Sequence, residues 1–148
     1  MPEKETLERA EEDRREGKAA STQAGEFVRE EIEHIREGKH GARSTKQAIA
    51  IGLSKARRAG VKLGPPKEGQ ASKETREQAA RDTRKGNSSG KEQKSAKRSR
   101  ATLAALKREG HSAASKTALA RQARSAAAKR SAASRSRSAR KAAATRKK

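Results

Sequence analysis

Ser44-Thr45-Lys46-Gln47-Ala48-Ile49-Ala50-Ile51-Gly52-Leu53-Ser54-Lys55-Ala56-Arg57-Arg58-Ala59-Gly60 is the stretch on which the fold turns. Ser44 to Gln47 have the form of a capping box, in which the Ser44 and Gln47 side chains satisfy each other's free end amides. Gly60 suits the left-handed residue that ends a helix, and Val61 follows to seal the turn. Between these signals Ile49, Ile51 and Leu53 alternate with Ala50 and Gly52, as in a strand. The cap at one end and the stop at the other favour a helix over 45–59. On it Ala48, Ile49, Gly52, Leu53 and Ala56 share a face whose small residues permit a close neighbour, and Pro65-Pro66 ends the unit.

Upstream, residues 23–37 supply that neighbour. Phe27, Val28, Ile32 and Ile35 fall on one face at helical spacing, with Arg29, Glu30, Glu33 and Arg36 on the others. Phe27, Ile32 and Ile35 are expected to pack against Ile49, Leu53 or Ala56 as the only appreciable apolar cluster. The same face is the candidate surface for a protein partner. Residues 3–16 carry only Leu7 and Ala10 as apolar residues among Glu and Arg, which predicts a solvated helix held by charge pairs, with little to pack against.

Downstream, residues 73–85 predict a charged helix, and Gly86-Asn87-Ser88-Ser89-Gly90 reads as a flexible linker. Glycines following charged residues recur at Gly17, Gly38, Gly69, Gly86 and Gly110, and punctuate a string of short helices without a fixed repeat. From Gln93 on, Ala, Ser, Lys and Arg dominate, with only Leu103, Leu106 and Leu119 as large apolar residues. Alanine favours helix, but repulsion among like charges and the lack of packing oppose it, so this tail is expected to fold on meeting phosphates.

Charge is divided along the chain. Residues 1–42 hold 8 Lys and Arg against 12 Asp and Glu, while residues 43–148 hold 31 against 6 and leave the whole at +21. Residues 93–148 alone carry 18 Lys and Arg against one acid, Glu109. Hydrophobic residues make up 30% of the chain, many of them alanines, which argues against a sizeable single core. The predicted fold class is therefore mostly α with extensive disorder: short helices around a small two-helix unit at about 23–59, and a basic tail that becomes helical on binding. The expected organisation is an acidic charged helix at 1–20, the helical unit at 21–64, a charged helix and linker at 65–92, and the low-complexity tail at 93–148.

The chain has no cysteine, which removes disulfides, thiolate metal sites and cysteine nucleophiles together. The start Met1-Pro2-Glu3-Lys4-Glu5 has neither the basic residues nor the apolar stretch of a secretory signal. The longest apolar run, Ala48 to Leu53, is far short of a membrane span. A cytoplasmic, nucleoid-associated protein with no membrane partner is the expectation.

Lys39-His40-Gly41-Ala42-Arg43-Ser44-Thr45-Lys46-Gln47-Ala48-Ile49-Ala50-Ile51-Gly52-Leu53-Ser54, continued through Lys55 to Gly60, resembles a family of small basic bacterial proteins of unknown function. Its longer members are also similar to residues 1–38, including Ser21 to Ile32, and some are labelled plasmid-stabilisation or DNA-binding proteins. The resemblance covers roughly the first 65 residues; it suggests bacterial DNA as partner and implies no catalytic residue. Residues 93–148 resemble, in composition, the tails of linker histones and histone-like nucleoid proteins.

The expected function is non-enzymatic binding of nucleic acid with little sequence specificity, in a nucleoid-associated or plasmid-maintenance role, duplex DNA being favoured over RNA. The alternatives are an RNA- or ribosome-associated basic protein, or an adaptor using residues 21–64. The candidate phosphate-binding residues are Arg43, Lys46, Arg57 and Arg58 around the central helix, and Lys97, Arg98, Arg100, Lys107, Arg108, Arg121, Arg124, Lys129, Arg130, Arg135, Arg137, Arg140 and Lys141 in the tail. Such residues bind phosphates by releasing condensed counterions, which needs charge density and no fixed fold. No catalytic residue, metal site or cofactor is expected. His34, His40 and His111 are scattered along the chain, Glu30 and His34 read as a surface ion pair, and Glu30, Glu31 and Glu33 read as exposed helix carboxylates lacking a pocket. Ser134 to Ser138 offer a phosphorylatable Ser-Arg repeat.

Overall fold

Glycine ends the first three helices as the punctuation predicts. Helix α1 (Lys4–Arg15), α2 (Ala20–Arg36) and α3 (Thr45–Arg58) are each followed by a glycine of positive φ, +72° at Gly17, +75° at Gly38 and +94° at Gly60. The glycine amide and the next amide turn back onto the last helical carbonyls, for α3 as Gly60 to Arg57 and Val61 to Ala56. This is the Schellman closure, and it reverses the chain after each helix. At the start of α3 the Ser44 hydroxyl accepts from the Gln47 amide, as expected. Gln47 does not close the box on Ser44; its carbonyl oxygen accepts from the Arg43 amide instead, one residue earlier.

This computed structural model describes residues 1–88 and 95–147. Beyond α3 come α4 (Lys73–Asn87), α5 (Ala96–Lys107), a single 3-10 turn (Ser112–Ala114), α6 (Lys116–Ala128) and α7 (Ala132–Arg146). Ser89 and Gly90 of the expected linker, and the boundary expected at 92/93, lie outside the described residues.

Helices α2 and α3 form the centre. A Cβ at Gly52 would fall 2.6 Å from the Val28 Cα, so the small face of α3 lets the two backbones approach as anticipated. The apolar contacts divide into two clusters, where one was expected. Phe27 meets Ala10, Ala24 and Ala56, with Leu53, Val61 and Leu63 around them. Ile32 and Ile35 meet Ala42, Ala48, Ala113 and Ala114, with Val28 and Leu119 at the edge. Ile49 belongs to neither. The face considered for a protein partner is closed within the chain, Phe27 being 1% and Ile35 0% exposed.

Helix α1 is not the isolated solvated helix its composition suggested. Thr6, Ala10 and Asp13 are buried against α2, and Arg9 reaches across to Glu26 at 2.7 Å. Helix α4 runs through Gly86 to Asn87, so this glycine is not a stop signal. A Cβ there would fall 1.9 Å from the Arg57 carbonyl oxygen, and Gly86 serves the close approach of α4 to the end of α3.

The expectation of extensive disorder, with a tail folding only on binding, is overturned. Three helices occupy the tail, each opened by a serine whose hydroxyl accepts an amide of the first turn: Ser95 from Arg98, Ser115 from Ala118 and Ser131 from Ser134. These caps add to the helix propensity of the alanine runs. The cations face water, where screening weakens their mutual repulsion. The tail is also docked, which its sparse leucines did not suggest. Ala113 and Ala114 are buried in the Ile35 cluster, the Thr45 hydroxyl donates to the Ala113 carbonyl at 2.7 Å, and Arg36 donates to the Ala114 carbonyl. The Gly41 and Ala42 amides donate to the Leu106 and Gly110 carbonyls. Helices α5, α6 and α7 themselves bury no residue. The chain exposes 10934 Å², against about 7,400 Å² for a compact monomer of this mass, as helices standing off a small core require.

Candidate nucleic-acid interface and buried histidine cluster

Of the seventeen basic residues singled out from sequence, sixteen are exposed: Arg43, Lys46 and Arg58 around α3, and Lys97, Arg98, Arg100, Lys107, Arg108, Arg121, Arg124, Lys129, Arg130, Arg135, Arg137, Arg140 and Lys141 in the tail. Arg57 differs. It is 7% exposed, and its Nε and Nη2 donate to the carbonyls of Leu63 and Gly64 at 3.1 and 3.2 Å. Burial lowers its guanidinium from the ordinary value, against the opposing pull of Asp82. It clamps the loop after α3 and presents no open face to a phosphate. Arg58 is half committed, its Nε lying 2.7 Å from Asp82 Oδ1.

The rest of the basic set is arranged differently from the core charges. In α1 to α3 lysines and arginines are largely paired with carboxylates, as in Lys18 with Asp13 and Arg29 with Glu33. None of the ion pairs found among the described residues uses a lysine or arginine of the tail, whose single acid, Glu109, lies 3.8 Å from Arg43. Arg130 is held by the hydroxyls of Ser134 and Ser138. At 3.6 residues per turn Arg135, Arg137, Arg140 and Lys141 project from more than one side of α7, which suits a rod meeting phosphates on several sides.

A second feature was not read from the sequence. Glu30 and Glu31, read as exposed, are 2% and 1% exposed. Glu30 does not pair with His34; it accepts from the Glu3 amide at 3.0 Å and lies 3.4 Å from Lys55 Nζ. Burial pushes the Glu30 carboxyl up, but the Glu3 amide, Thr6 and Lys55 together outweigh it and hold the group below the usual carboxylate range. Glu31 Oε1 faces His40 Nε2 at 2.9 Å, and its Oε2 lies 2.7 Å from Lys55 Nζ. That second contact is electrostatic, since Oε2 has no well-directed hydrogen bond. His34 Nε2 meets Glu3 Oε1 at 2.9 Å.

The histidines are therefore not scattered in space. His34, His40 and His111 line one open cleft of about 810 Å³, together with Lys55, Lys107 and Leu103. The Schellman turn at Gly38 is what makes this possible: it sends the chain back along α2, so His40 returns beside His34 and Glu31. Two histidines straddling a glycine stop were the signal available in the sequence.

A third polar centre joins α3 to α4. Asp82, 1% exposed, accepts from Ser54 and Arg58 at 2.7 Å each and from Gln78 at 3.1 Å. Burial pushes its carboxyl up, but Ser54, Arg58 and Gln78 prevail and hold it below the ordinary aspartate value. Among the described residues no helix is long and apolar enough to cross a membrane.

Residues 4–68 match the model described as Family of unknown function (DUF6496). The match spans α1 to α3 and the loop that Arg57 clamps, and agrees with the likeness to an uncharacterised family over the same part of the chain. No curated protein and no solved structure matches the chain.

Proposed function

We propose that this protein is a non-enzymatic nucleic-acid-binding protein that engages duplex DNA through the exposed cations of α5 to α7, with little sequence preference. The observation that carries this reading is the state of the tail charge: residues 93–148 hold 18 Lys and Arg against one acid, and among the described residues those on α5 to α7 take part in no ion pair and sit on helices that bury no residue. Cations already paired with carboxylates gain little from phosphate, whereas solvated ones release condensed counterions from the duplex. Docking of the 3-10 turn on the Ile35 cluster anchors this basic array to the α1–α3 core. A nucleoid-associated or plasmid-maintenance role in the cytoplasm follows from this reading.

The same phosphate chemistry would serve RNA or a ribosome-associated role. Duplex is favoured over single strands because the one aromatic residue, Phe27, is 1% exposed, leaving no aromatic platform on which an unpaired base can stack.

The test uses the full chain, since removing residues 93–148 would also strip Ala113 and Ala114 from the core. Arg135, Arg137, Arg140 and Lys141 are changed together to Gln, which preserves helix propensity. Affinity for a DNA duplex is then measured against salt. Each lost phosphate contact lowers the logarithmic slope by about 0.9, so the four together lower it by about 3–4. An unchanged slope refutes the assignment to α7, and crosslinking with sequencing of the bound strands separates DNA from RNA.

A further inference from the structure

The charges buried at the end of α2 do not balance. Glu30 and Glu31 are adjacent and almost fully buried, and among the described residues the one lysine paired with them is Lys55, at 3.4 Å from the first and 2.7 Å from the second. The neighbouring Lys39 is held by Glu3 and Glu37. One further positive charge is called for, and the geometry of His40 shows where. His40 Nδ1 lies 3.0 Å from the Gly41 carbonyl oxygen; a carbonyl can only accept, so Nδ1 carries the hydrogen. His40 Nε2 then points its lone pair at Glu31 Oε1, 2.9 Å away. Two lone pairs at that distance repel unless a proton or a metal ion lies between them.

A histidine whose Nδ1–H is fixed by a backbone carbonyl, with Nε2 turned to a carboxylate in a buried shell, has the orientation that metal-ligating histidines take. His34 completes the set. Ligand atoms of Glu31, His34 and His40 all lie within 4.8 Å of one another, and a tetrahedral ion with bonds near 2.0–2.1 Å would draw them to about 3.3 Å apart. Lys55, by taking Glu31 Oε2, leaves Oε1 as the single ligating oxygen. We propose that Glu31, His34 and His40 form a binding site for a divalent first-row transition metal, with its open position toward the cleft that His111 lines. Two imidazoles and one carboxylate favour zinc, cobalt or nickel over magnesium or calcium, which prefer all-oxygen shells. Such an ion would fix the His40–Gly41 backbone, the point from which Gly41 donates to Leu106 of the docked tail.

The experiment adds Co²⁺ to the full chain and follows its visible absorption, with Zn²⁺ as competitor and Mg²⁺ as control. One equivalent of Co²⁺ should bind with a low-coordinate spectrum, be displaced by Zn²⁺ and ignore Mg²⁺. His34→Gln, His40→Gln and Glu31→Gln should each weaken binding by at least the about 10–100-fold that loss of a mere orienting partner costs. Zn²⁺ should also raise the Tm of the parent and leave that of His40→Gln unchanged. No saturable Co²⁺ binding by the parent overturns the proposal and leaves a shared proton as the whole content of the cluster. Binding that His40→Gln and His34→Gln leave intact overturns it equally, as adventitious surface binding. His34 lies at the rim of the cluster with its side chain 13% exposed, so His34→Gln decides the matter even where Glu31→Gln fails to fold.

Discussion

Replacing Gly52 by Ala should destabilise this protein although it improves the intrinsic helix propensity of α3. In a free helix interior the substitution gains about 0.5–1 kcal/mol. Here the new methyl carbon would lie 2.6 Å from Val28 Cα and 2.9 Å from both Val28 N and Cγ2. Two of these three atoms are backbone, so no rotamer change relieves the overlap and α2 must move away from α3. Overpacking of this kind costs about 1–3 kcal/mol, which outweighs the propensity gain and leaves a net loss of roughly 0.5–2 kcal/mol. The internal control is Gly25, in α2, where a Cβ meets nothing within 4 Å; Gly25→Ala should stabilise by about 0.5–1 kcal/mol. Urea unfolding of the full chain, followed by far-UV circular dichroism, reads both variants as shifts of the midpoint. The reasoning fails if the two substitutions shift the midpoint in the same direction, because the helices then do not approach at Gly52.

Asp82→Asn should lower stability at neutral pH by about 1–3 kcal/mol, discounted for the partly exposed Arg58 it leaves behind. The folded carboxyl lies below the ordinary value of 3.8, so its contribution is complete above that value and is lost as pH falls through the lower folded value. The parent should lose its advantage over the variant in acid below about pH 3.8, and a constant difference in unfolding midpoint across that range would contradict the network. Gly41→Ala should undock the tail, because its Cβ would fall 2.0 Å from the Glu109 carbonyl oxygen. Trypsin should then cut faster at Lys107 and Arg108 while α1 to α3 stay resistant, and an unaltered digestion pattern would count against the joint.

The ends of the first three helices were legible because they are written locally. Ser44 and the glycines at 17, 38 and 60 act within a few residues of where they stand, and the small face around Gly52 needs only helical periodicity to be recognised. What escaped depends on contacts between distant segments. Ala113 and Ala114 look like any other tail alanines until Ile35 and Ala42 surround them. Glu30 and Glu31 resemble solvated carboxylates, since charged residues seldom lie buried without partners, and their partners Glu3, His40 and Lys55 come from three other segments. Charge counting does not reveal which cations are exposed: Arg57 is buried because a guanidinium can serve backbone carbonyls as readily as phosphates.

The hydrogen bonds from Gly41 to Leu106 and from Ala42 to Gly110 also set an order of assembly. They close a loop that contains all of α3 and α4, so their formation carries a chain-entropy cost that the local helix pairs α1–α2 and α2–α3 do not bear. The core of residues 1–60 should therefore assemble first, with the cationic helices latched onto it afterwards. Joints of this kind open as separate units below the free energy of global unfolding. In hydrogen exchange the Gly41 and Ala42 amides should accordingly lose protection before those buried in the middle of α2, and they mark at single-residue resolution when the tail lets go.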